Sequence, residues 1–165
     1  MSVFAVDKLI SEARRLAAEY RRATGKSLPI SSEIARHDAC VHLDLEPCEQ
    51  DAAGYDAVSR DGNEQRIQIK GRAIFDESKS GQRIGQLKLE QDWDAVVLVL
   101  MDEDFDSFEI YQARRDEVLD ALHDSPRNKR GAMSVARFRN IARLVWTREE
   151  GRLEEPSRDP INNPE

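Results

Sequence analysis

In the stretch "GYDAVSRDGNEQRIQIKGR", residues 54–72, Asp56 precedes the turn-like tripeptide Asp61-Gly62-Asn63. Gln68 and Lys70 follow, two residues apart in an otherwise apolar run. Side chains alternate along a strand, so Gln68 and Lys70 project from one face while Ile67, Ile69 and Gly71 occupy the other. If "YDAVS" is the antiparallel partner across the "DGN" turn, Asp56 reaches the same neighbourhood, and a carboxylate, an amide and an ammonium converge. That set suits a hard cation such as magnesium. A carboxylate, an amide oxygen and a backbone carbonyl can serve as ligands and leave positions for water and phosphate. The ammonium can hold and polarise a water nucleophile, or stabilise charge growing on a phosphate.

The elements that must position these residues follow from apolar periodicity. Over residues 6–22, Leu9, Ile10, Ala13, Leu16, Ala17 and Tyr20 have the spacing of one face of an amphipathic helix. A second helix, "SSEIARHDACVHLDL", starts with Ser31 or Ser32 as N-cap, carries Glu33 in its first turn, turns Ile34, Ala35, Val41 and Leu45 inward, and ends at Pro47. "YDAVS" and "QRIQIKGR" read as paired strands. Residues 75–91 are polar and contain Gly81 and Gly85, which predicts a long loop or excursion beside the site. Residues 95–101 form a continuous apolar run, the pattern of a strand buried on both faces. "SFEIYQA" is a further strand with Phe108, Ile110 and Gln112 on one face. "ARRDEVLDALHD" is a short helix, and "SVARFRNIARLVWT" is helical, with "ARLVW" open to a strand reading. From Arg148 the charged, proline-containing segment predicts a disordered or loosely attached tail, residues 148–165, after a single domain of residues 1–147. The expected class is α/β (α+β), with helices covering a mixed sheet of four to five strands.

The 165 residues suffice for one core, and no apolar run is long enough to cross a bilayer. No membrane is expected as a partner, and a cytoplasmic location is. Charged residues make up 35% of the chain and mean hydropathy is -0.67, against a hydrophobic share of 39% that still supports a core. The net charge of -7 argues against coating nucleic acid non-specifically. Local basic clusters at residues 14–26 and 127–131 can still face phosphates, or be solvated surface. Cys40 and Cys48 have no scaffold or zinc spacing and read as reduced structural thiols.

Asp56, a hairpin and then Gln68-Ile69-Lys70 resemble the PD-(D/E)xK nuclease superfamily, in the variant where glutamine replaces the second acid. That variant is similar to what type IV restriction enzymes carry. The combination of "SSEI" helix, "GYDA" strand and "IQIKGR" strand also resembles a small bacterial domain family. The resemblance covers residues 31–147 and implies a restriction endonuclease-like fold. It further implies that Asp56 binds metal, Gln68 fills the second acidic position, Lys70 helps activate water, and Glu33 joins the metal directly or through water. The implied activity is Mg²⁺- or Mn²⁺-dependent phosphodiester hydrolysis, as a DNA endonuclease or nuclease module of a bacterial defence or repair system. DNA is then the expected partner, with a homodimer or a defence-system subunit as further partners. The chain departs from the common pattern in two places: no proline precedes Asp56, and neutral Gln68 removes one charge from the metal site.

Other roles compete for the same residues. Asp56 can satisfy backbone amides at a strand end, Lys70 can guard a sheet edge with Gln68 as ordinary edge polarity, and Glu33 can complement a helix dipole. His37 and His42 lie five apart, off the four-residue spacing of a helical ligand pair. Trp93 and Trp146 flank apolar runs, as core or edge packing does. Arg72, Arg83 and Lys88 are candidates for steering phosphate. A catalytically degenerate nuclease fold that binds nucleic acid or protein is the alternative function; a toxin or immunity-type protein is a third.

Overall fold

A computed structural model describes residues 3–49, 54–75, 82–124 and 133–157, with side chains from Ala5 to Glu154 within them. The elements run α1 (Val3–Thr24), α2 (Ser31–His42), β1 (Leu45–Pro47), β2 (Ala57–Ser59), β3 (Arg66–Ala73), β4 (Ala95–Met101), β5 (Ser107–Arg114), α3 (Arg115–His123), α4 (Val135–Ile141), β6 (Arg143–Thr147) and β7 (Gly151–Ser157). The chain is a mixed α/β protein.

The seven strands among the described residues join one sheet in sequence order, β1-β2-β3-β4-β5-β6-β7. The β3–β4 pair is parallel and every other pair antiparallel. A parallel pair requires a crossover, and residues 74–94 make it. Residues from both ends of the sheet, Leu45 and Ser59 on one side and Arg152 to Glu154 on the other, wall a common cavity, so the sheet curls.

β4 is the centre, and every one of its residues is buried. Val97, Val99 and Met101 face a core built with Ala17, Ile34, Ala35 and Ala39 of α1 and α2. Val96, Leu98 and Leu100 face a second core with Val118, Leu122 and Phe138 of α3 and α4, together with Ile84, Leu87 and Trp93 of the crossover. Both faces of a parallel-paired strand are covered, which is why the run is uniformly apolar.

Several expectations need correction. Among the described residues the sheet has seven strands rather than four or five. Two of the extra strands come from segments read otherwise. Asp44 adopts a left-handed backbone (φ 53°) just after the C-cap of α2. This reverses the chain, so Leu45–Pro47 pairs with β2 instead of extending the helix. Gly151–Ser157 pairs with β6, so this part of the expected tail is a strand. Residues 158–165 of that tail, Gly81, and the basic cluster 127–131 lie outside the described residues.

The N-cap of α2 is Ile30, which makes no side-chain cap bond, and not Ser31 or Ser32. The inner face of α2 runs through Asp38 and Ala39, leaving Val41 60% exposed. Asp38 faces inward because Arg14 of α1 grips it with two bonds, at 2.9 and 3.1 Å, and the Ser107 hydroxyl donates to it. In β5, Leu100 registers with Glu109 and Met101 with Ser107, leaving Phe108 as a bulged residue without a partner in β4. The bulge sends Phe108 and Ile110 to opposite cores instead of one face. Leu9, Leu16 and Tyr20 of α1, expected on its inner face, are exposed.

Candidate active site

β2 is too short to cover β3. Only Ala57 and Val58 pair with it, opposite Ile67 and Arg66. From Gln68 onward, the β3 edge facing away from β4 meets side chains instead of a strand. The Asp56 N–H donates to the Ile67 carbonyl at 2.8 Å, and Asp56 Oδ2 accepts the Ile69 N–H at 2.8 Å. Further along, Arg72 Nη1 donates to the Gly71 carbonyl at 2.6 Å and Gln82 Nε2 to the Ala73 carbonyl at 3.0 Å. Asp56 therefore brackets Gln68. The N–H and C=O of one strand residue point the same way, so the Ile69 carbonyl emerges at this edge beside the Asp56 carboxylate.

A cleft of about 330 Å³ lies along this edge, and Glu33, Asp56, Gln68 and Lys70 all line it. α2 reaches it because Gly71 has no side chain. A Cβ there would sit 2.3 Å from the Ala35 Cβ, so only glycine lets the first turn of α2 ride directly on β3 and bring Glu33 and Arg36 over the edge. The opposite wall is the crossover, whose Gln86 carbonyl accepts a bond from Lys70 Nζ at 3.0 Å. Gly85 (φ 87°) passes so close to the Arg72 guanidinium that a Cβ would meet it at 2.8 Å.

Gln68 is 3% exposed, yet neither Oε1 nor Nε2 has a hydrogen-bond partner among the described residues. A buried amide left in that condition costs about 1–3 kcal/mol. The Lys70 ammonium is held below the usual lysine range, first by burial and then by Arg72 and Lys88, against the pull of Asp56. Asp56 has a second oxygen, Oδ1, that no hydrogen bond engages among the described residues.

Arg72 and Lys88 line the cleft. Arg72 also braces it, donating from Nε to the Arg83 carbonyl at 2.5 Å. Arg83 is not part of the lining; its backbone pairs with Ser134 instead. Arg36 and Glu49 line the cleft as well and were not singled out from sequence. Arg36 lies one helical turn from Glu33, a spacing that could have found it. Glu49 sits in an irregular connector with no comparable signal.

Among the described residues, no three His, Cys, Asp or Glu side chains gather closely enough to hold a metal ion. A cation site here would need the Gln68 oxygen and backbone carbonyls besides carboxylate. Trp93 is buried, its Nε1 donating to the Lys88 carbonyl at 2.8 Å, and Trp146 stacks on His42 at 4.1 Å, so both tryptophans pack rather than present a platform. Cys40 and Cys48 are free, and burial pushes the Cys40 thiol up to about 11. A larger cavity of about 590 Å³ lies at the curl of the sheet. It mixes Arg60 and Arg152 with Asp44, Asp61 and Glu154, and Arg60 is already paired with Asp44 and Glu46. None of the described helices is long and apolar enough to cross a membrane. Set against models of known protein families the sequence matches none, and a search of curated proteins finds no relative.

Proposed function

We propose that the β3-edge cleft is a phosphodiester hydrolase site acting on nucleic acid, with DNA as the substrate the resemblance favours, on a restriction endonuclease-like fold. The observation that carries this reading is the Gln68 carboxamide, buried without hydrogen-bond partners among the described residues, in a cleft that also holds the Asp56 carboxylate and the cationic Lys70, Arg72 and Lys88. Such an amide calls for a ligand, and its oxygen suits a hard cation.

Asp56 Oδ1, Gln68 Oε1 and the Ile69 carbonyl would hold Mg²⁺ or Mn²⁺, with Glu33 reaching it directly or through water. When bound, the cation supplies Lewis-acid polarisation of a phosphoryl oxygen and a lowered pKa for water. Lys70, desolvated and pinned to the Gln86 carbonyl, presents its remaining protons to a water or a phosphate oxygen. Arg72 and Lys88 extend positive charge along the wall where a phosphate backbone would lie. This locally basic wall offsets the net charge of -7 where substrate would approach.

The test is cleavage of plasmid and oligonucleotide DNA by purified protein with and without magnesium or manganese. Cation-dependent nicking lost in Lys70→Ala is the expected result; nicking that survives Lys70→Ala, or that needs no cation, overturns the assignment. A second reading, a nuclease fold that binds without turnover, is favoured by the lack of a carboxylate cluster among the described residues. It predicts DNA or protein binding with no heat of magnesium or manganese binding in calorimetry.

A further inference from the structure

Helix α1 shows two stripes on its outward side. Val6, Leu9, Leu16 and Tyr20 are 42%, 54%, 53% and 38% exposed. With half-buried Ala13 between them, their positions alternate by three and four residues, the seam spacing of a coiled coil. The face of α1 turned to the domain is a different one, made by Ala17, Ala18 and the Arg14 that grips Asp38. The apolar seam is therefore left over after the domain has packed. Four large apolar side chains in one row on one helix form a patch rather than scattered exposure.

Beside the seam runs a row of exposed charges at the same spacing: Lys8, Glu12, Arg15, Glu19 and Arg22. Their signs alternate, and that alternation says what the seam fits. Laid parallel across the seam, the charge row of one copy would lie on the opposite side of the interface from that of the other, and the two would not meet. Laid antiparallel about a point next to Ala13, Lys8 falls beside Glu19 of the second copy and Glu12 beside Arg15 of the second copy. In the same arrangement the seam residues fall within two residues of facing one another, Val6 near Tyr20 and Leu9 near Leu16, and the small Ala13 at the centre lets the two helices approach closely.

We propose that this protein forms a two-fold symmetric dimer through antiparallel pairing of α1 with α1 of a second copy. The surface is self-complementary, as an isologous interface requires. It needs no contribution from the cleft and stands whether or not the cleft is catalytic. One helix pair buries less than the roughly 800 Å² per partner of a standard stable interface, so dimerisation is expected at micromolar concentrations. The Arg15–Glu19 ion pair within the helix, at 2.9 Å, is solvent-exposed and can exchange for contacts between copies.

Sedimentation equilibrium of the full chain over a concentration series tests this. The wild type should pass from monomer to dimer, and Leu9→Glu with Leu16→Glu should stay monomeric with unchanged helicity, and with the wild-type melting temperature at dilutions where the wild type is itself monomeric, since both side chains are exposed. Lys8→Glu with Arg15→Glu places like charges along the pairing and should weaken the dimer. Adding Glu12→Lys and Glu19→Lys should restore it. A wild type that stays monomeric throughout, a dimer indifferent to the seam substitutions, or charge variants without loss and rescue would each overturn the proposal.

Discussion

The Asp56 carboxylate accepts the Ile69 N–H at 2.8 Å, taking the place that the next residue of a longer β2 would have filled. One oxygen thus closes the sheet edge and the other stays directed to the cleft. The two duties are separable by substitution. Asp56→Asn keeps an oxygen for Ile69 and should hold stability to within about 1 kcal/mol, whereas Asp56→Ala orphans that N–H at a cost of about 1–3 kcal/mol. Both should lose divalent-cation binding in calorimetry. Full cleavage activity in Asp56→Asn would remove Asp56 from the site and leave it an edge cap.

Gln68 trades stability against function. Gln68→Leu replaces a buried amide, unpartnered among the described residues, by an apolar side chain of similar size and should raise urea stability by about 1–3 kcal/mol while abolishing cation binding. Gln68→Glu restores the acid of the commoner pattern. In cation-free buffer it should melt lower, because burying a carboxylate is costly, and it should gain more melting temperature from added magnesium than the wild type does. A Gln68→Glu protein whose melting ignores magnesium would argue against a cation at this position.

Lys70→Met keeps the aliphatic stem and removes the ammonium. Since burial disfavours that charge, the substitution should leave the melting temperature equal or higher, and cleavage should drop by about 10²-fold or more. A marked loss of stability with activity retained would make the bond to Gln86 a structural strut.

The Gly71–Ala35 contact is where α2 meets β3, and Gly71→Ala tests whether that closeness matters to the cleft. The added methyl forces helix and strand apart and should cost about 1–3 kcal/mol in denaturant unfolding. Glu33 and Arg36 should shift with the helix, weakening cation and DNA binding even in molecules that remain folded. A variant as stable as the wild type would contradict the packing described.

His42 links stability to pH. It stacks on Trp146, and burial holds its imidazole below the usual 6.5, with Arg14 and His37 pushing the same way and Asp38 opposing. Between the folded value and 6.5 the unfolded chain binds more protons. Stability therefore falls as pH drops through that window and levels off beneath it. Melting temperatures measured across the window should decline, and His42→Phe should flatten the decline. An unchanged slope in the variant would place the pH dependence elsewhere.

Much of this was legible in the chain because it rests on local periodicity. Residues 95–101 have no polar face to offer and so become the doubly covered central strand. Alternation alone placed Gln68 and Lys70 on one face, and both line the cleft with Asp56 and Glu33. Where the reading failed, a single backbone or long-range event decided the outcome: the left-handed Asp44, the bulge at Phe108, and the pairing of a charged C-terminal segment onto β6. Strand pairing depends on whether an edge is available, and composition does not report that.

By itself the sequence determined the residue types, their spacing and the strand that displays them. Only the tertiary structure decided that β2 stops short of Gln68, and that Gly71 lets α2 close onto the edge so laid open. The same packing used Ala17 and Ala18 of α1 and left Leu9 and Leu16 outside. A helix can turn one face to its own core, and which face is set by Asp38 gripping Arg14 across 24 positions of sequence.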